Sequence, residues 1–189
     1  MHKTRLEAFS DGVVAILITI MVLELRVPGG ADWTALRMLG PTFCAYVLSF
    51  IYLGIYWNNH HHLFHLVDRV TGGMLWANLH LLFWLSLVPF VTSWMGEHPH
   101  DPLPTAIYGG VLLCAAMAYT ILVQVIIHAQ GERSKLKAAV GGDVKGNMSL
   151  LFYITGIVST LWRHEIAWAL YAIVALMWLV PDKRIERVL

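Results

Sequence analysis

Stretches of about 20 residues almost free of charge recur along this 189-residue chain, and they constrain its fold more than any motif does. In hydrocarbon every backbone N–H and C=O must be paired internally, so each such run crosses a bilayer as a helix. The runs fall at 6–26, 36–57, 74–95, 105–128, 148–162 and 165–181, bounded by Pro28-Gly29-Gly30, 68–73, 97–104, 130–147 and Arg163-His164-Glu165. The expected architecture is an all-α integral membrane protein, one six-helix transmembrane domain over 1–189. The run 148–162 gives only about 22 Å of helix. It either starts nearer Val144, sits in a thinned or protein-lined region, or forms a tight hairpin with the run after it. Composition agrees: 58% of residues are apolar and 13% charged, where a soluble domain carries about 25% charged residues. A net charge of +1 excludes a broad polyanion-binding surface and, with it, nucleic acid as a partner.

Orientation follows from the 13 basic residues. With both termini cytoplasmic, ten of them lie on inner segments and three, Arg26, Arg37 and Arg163, on outer ones. A multi-pass protein of the cell membrane is expected. Trp33, Trp57, Trp76, Trp94, Trp162 and Trp178 stand near predicted helix ends, where indoles anchor at the headgroups. Lys3 and Arg5 before an apolar run resemble a secretory leader, but Glu7 and Asp11 argue for a retained helix. Cys44 and Cys114 lie inside apolar runs and match no disulfide or zinc spacing.

At about 100° per residue, Gly12, Ile16, Thr19, Ile20 and Leu23 share one face of the first helix, spanning about 100° of arc. Asp11 falls on the opposite side, as a buried carboxylate in need of a partner from another helix. The stripe either faces lipid, packs on a neighbour, or lines a pathway. Candidate partners for Asp11 cluster at Trp57, Asn58, Asn59, His60, His61, His62 and His65, with Asn78 and His80 in the third span. His61 and His65 are neighbours on a helical surface and could bind a metal or sense protons, and a haem pair is conceivable. No nearby cysteine or carboxylate completes a ligand set, so no metal or cofactor is expected.

These residues also carry a resemblance. The segment Arg5-Leu6-Glu7-Ala8-Phe9-Ser10-Asp11-Gly12, running on into Val13-Val14-Ala15-Ile16, resembles the Arg-x-x-x-Phe-Ser-Asp signature of the prokaryotic transmembrane protein 175 family of potassium channels. Trp57-Asn58-Asn59-His60-His61-His62-Leu63-Phe64, Asn78, Pro89 and Trp178-Leu179-Val180-Pro181-Asp182 extend the likeness over nearly the whole chain. The resemblance implies a homotetramer of six-helix subunits whose first helices line a central pathway for potassium and other monovalent cations. Its constriction then falls on Ile16, followed by Thr19 or Ile20 and by Leu23. Arg5, Phe9, Ser10 and Asp11 would join Trp57, His61, Asn78 and His80 in a network fixing the first helix, although three histidines in a row leave the matching one open. Partners are other copies of the chain and membrane lipid; an enzyme is not implied.

A ring of Ile16 carries no ligand oxygens. It gates by dewetting and favours the cation that loses outer water more cheaply, so a modest preference for potassium over sodium is expected of a leak-type channel. Thr19 would add hydroxyl acceptors, and Glu24 and Glu7 would concentrate cations at the two ends. The alternative is a proton- or ion-coupled transporter using Asp11 and the histidines. Elsewhere, Pro89 is expected to kink the third span, its freed carbonyls satisfied by neighbours or by Ser86. Gly110, Cys114 and Ala118 are expected to form a packing face. The segment 132–145 reads as a linker and 184–187 as an amphipathic tail.

Overall fold

The computed structural model describes residues 3–131, 134, 136–137 and 143–179. The regular elements among them are helices: α1 (Lys3–Leu23), α2 (Trp33–Met38), α3 (Gly40–His65), α4 (Gly72–Ser86), α5 (Val88–Glu97), α6 (Pro102–Gln130), α7 (Val144–Ser159) and α8 (His164–Leu179). The tail at 184–187 and most of the linker at 132–145 lie outside the described residues.

Local chemistry sets the helix ends. Asp32 caps α2 by accepting from Ala35 N at 2.7 Å, and Thr71 caps α4 through Met74 N at 3.3 Å. The Asp143 carboxylate accepts from Gly146 N at 2.8 Å, so α7 begins near Val144 rather than at 148. At the close of α6, Gly131 takes φ of 64°, a left-handed turn that glycine adopts without strain. Leu87 separates α4 from α5 just before Pro89, the expected break: the Leu87 N–H reaches the Leu85 and Trp84 carbonyls, and Ser86 Oγ donates to Phe83 O at 2.7 Å. The second span differs from expectation. Hydropathy ended it at 57, yet α3 continues to His65, so the polar cluster occupies its last two turns.

Among the described residues, four stretches are long and apolar enough to cross a bilayer: α1, α3, α4 with α5, and α6. The 16-residue α7 and α8 each rise about 24 Å and pack on one another as a hairpin. The hairpin also packs against α6, α4 lies along α6, and α3 lies along α5. Tyr52, Tyr108 and Tyr171 are fully buried where α3, α6 and α8 meet, with Tyr153 of α7 beside them. Their hydroxyls are satisfied within the core. Tyr52 donates to Tyr171 O at 2.6 Å, Tyr171 donates to Thr105 O at 3.3 Å, and Tyr108 pairs with Ser49 Oγ at 2.9 Å.

The expected small-residue face of α6 holds only at Ala118, which is fully buried. Open space lies where a Gly110 side chain would be, and Cys114 is half-buried. Close approach occurs instead at Gly109 and at Gly156 of α7, where an added Cβ would collide with the Tyr171 ring.

A candidate ion pathway and the network behind it

Helix α1 divides lengthwise. Leu6, Ser10, Val14, Leu17 and Met21, at three- and four-residue spacing, are buried against α3, α4 and α5. The opposite face is bare in the single chain: Ile16 is 58% exposed, Ile20 40% and Leu23 79%. Gly12 and Thr19 are exposed with them, and an added Cβ at Gly12 would meet nothing within 4 Å. The Thr19 hydroxyl donates back to Ile16 O at 2.8 Å, leaving its lone pairs outward. Ile20 borders a wide recess of about 510 Å³ that also includes Glu24, Pro89, Phe90 and Ser93. There Ser93 Oγ donates to Glu24 at 3.4 Å, and Arg26 pairs with Glu97 at 3.1 Å.

On the buried face a hydrogen-bonded chain ties three helices together. Ser10 Oγ donates to Leu6 O at 2.9 Å and accepts from Asn78 Nδ2 at 3.0 Å. The Asn78 Oδ1 is 2.8 Å from His60 Nε2. Because an amide oxygen only accepts, His60 carries its proton on Nε2. Asn78 is fully buried and His60 nearly so. A second link lies at the surface, where the Trp57 indole donates to Asp11 Oδ1 at 3.0 Å.

Several expectations are corrected by this geometry. Asp11 is exposed rather than buried, on the flank of α1 beside the bare face. The histidine on Asn78 is His60, not His61. His61 is exposed, stacked on Trp57, with its Nε2 3.1 Å from His65 Nε2. His80 is exposed too and accepts from the Trp84 indole at 3.0 Å, apart from the Ser10 chain. Arg5 and Phe9 are exposed at the start of α1. Sequence reasoning left the choice among His60, His61 and His62 open; the buried stripe of α3 makes it, running through Leu53, Tyr56, His60 and Leu63. Among the described residues no group of three or more His, Cys, Asp or Glu is placed to hold a metal ion.

Residues 5–89 match the family described as endosomal/lysosomal potassium channel TMEM175. A potassium channel of Chryseobacterium sp. (strain P1-3) is 57% identical over 187 residues, covering 99% of this chain and 97% of that one. The endosomal/lysosomal proton channel TMEM175 of Mus musculus is 36% identical over 118 residues, 54% of this chain and 24% of the mouse protein. Among solved structures, that of a lysosomal potassium-selective channel TMEM175 homologue from Chamaesiphon minutus superposes with a TM-score of 0.84 at 27% identity. The match covers 95% of this chain and 97% of that one. These relatives are channels, not enzymes. An end-to-end match to the bacterial relative, with the Phe-Ser-Asp segment and its Asn78 partner inside the matched region, leaves one assignment: the chain belongs to the TMEM175 family.

Proposed function

We propose that this protein is a leak-type cation channel of the cell membrane, modestly selective for potassium over sodium, built from four copies around a pathway lined by α1. Each subunit is one domain with six spans and both termini cytoplasmic, α7 and α8 forming the short pair. The supporting observation is the division of α1 into a tightly packed face and a bare aliphatic face, with the exposed Asp11 on its margin. An exposed carboxylate is costly against acyl chains and tolerable beside a wet axis or a neighbouring subunit. Closed symmetry turns Ile16, Thr19 and Leu23 into rings, with Ile20 set toward the recess on its flank. Ile16 forms the hydrophobic constriction. The names of the bacterial relatives support potassium as the permeant ion. Ser10, Asn78 and His60, with Trp57 and Asp11, hold the pore helix in register from behind.

The ion-coupled transporter is the weaker reading, because His80 is bonded to Trp84 on the surface and does not join Asp11 in a relay. The test is reconstitution with potassium and sodium on opposite sides of the bilayer. The native chain is expected to give passive, non-saturating flux and a reversal potential favouring potassium, and Ile16→Asn to raise flux and move that potential toward zero. Unchanged selectivity in Ile16→Asn contradicts the constriction, and saturable flux with fixed counter-ion stoichiometry contradicts the channel.

A further inference from the structure

Away from the α1 face, the half of α3 ending at His65 stands off from α6 and α7 and leaves a cavity of about 50 Å³. Two polar atoms on its wall are left over by the contacts among the described residues. Asn59 is 8% exposed; its Nδ2 donates to Ile55 O at 2.9 Å, and its Oδ1 has no partner among the described residues. Tyr56 is 9% exposed, and its hydroxyl likewise has no partner among them. The Asp143 carboxylate borders the same space, with Tyr119, Tyr153 and Trp178 as aromatic walls. The Trp178 ring already takes a cation, with Lys145 Nζ 5.7 Å from its centroid.

An amide oxygen without a partner among the described residues, a carboxylate and several π faces together recognise a hydrogen-bond donor that is positively charged. The volume admits a two-carbon ammonium head but not a ring, so the rest of the molecule would lie outside the cavity. We propose that this cavity is a binding site for an aminoethyl ammonium group on an apolar body. Asn59 Oδ1 and Asp143 accept its N–H donors, and the aromatic walls enclose its charge. The chemistry is shared by phosphatidylethanolamine and by free arylethylamines. The site is also placed to act on the channel, because Tyr56 borders a small void behind Ser10, Asp11 and His60 as well.

The probe is tritiated 2-phenylethylamine, titrated onto the full chain in phosphatidylcholine nanodiscs. Saturable binding is expected, with the neutral isostere 2-phenylethanol competing at least about tenfold more weakly. Asp143→Asn retains the helix cap, and Asn59→Leu removes the amide; each is expected to weaken binding about tenfold or more. Ile16→Asn is expected to leave it unchanged, which separates this site from the pathway and its failure from that of the channel reading. Competition by phosphatidylethanolamine added to the nanodiscs identifies the lipid as the source, and lack of competition identifies a free amine. Non-saturable uptake, equal affinity for the alcohol, or unaltered affinity in both variants overturns the proposal.

Discussion

A carboxylate on the surface of a membrane helix is tolerated in water or against another protein surface, and poorly in lipid. Asp11 is such a group, held by the Trp57 indole at 3.0 Å. Behind it, Asn78 is the junction that α1, α3 and α4 share through Ser10 and His60. Replacing Asn78 by Leu leaves two buried polar groups without their partner, at about 1–3 kcal/mol each. Trp57→Phe affects only an exposed bond and costs less. Thermal melts followed by size exclusion are expected to show a larger loss of assembled protein for Asn78→Leu; equal losses would place the anchoring of α1 elsewhere. The α1 stripe was legible in the sequence because helical period alone separates its two faces. The histidine was not, because three stand in a row and only the phase of the buried stripe of α3, set by Tyr52, Tyr56 and Leu63, selects His60.

At the scale of the helix, apolar length located every long span, and Pro89 located the break between α4 and α5. Hydropathy stopped at Trp57 because the residues after it are polar, although the helix continues by burying Asn59, His60, Leu63 and Phe64 in turn. The packing face of α6 was misjudged for a different reason. Small residues at four-residue spacing mark where a backbone can approach closely, but not which of two adjacent glycines does so. Gly109 rather than Gly110 meets Tyr171. Gly109→Ala is therefore expected to overpack the junction of α6, α7 and α8 by about 1–3 kcal/mol. Tyr171→Phe, by removing the hydroxyl nearest the added methyl, should restore part of that loss. A double-mutant cycle by thermal melting measures the coupling, and additive effects would show that the two residues do not compete for the same space.

For the whole molecule, α1 is packed on one side and leaves Ile16, Thr19 and Leu23 exposed in the single chain. Sequence could align those residues but could not distinguish lipid from a water-filled axis, since both tolerate bare aliphatics. Water access at position 16 decides between them. In a background lacking Cys44 and Cys114, Ile16→Cys is reconstituted and treated with a water-soluble cationic thiol reagent during potassium flux, with Ile154→Cys on the exposed face of α7 as the control. The expected result is rapid modification and block at position 16, with neither at 154. Continued flux with position 16 unmodified, or modification at 16 that leaves flux intact, would contradict the assignment of α1 as the lining of the pathway.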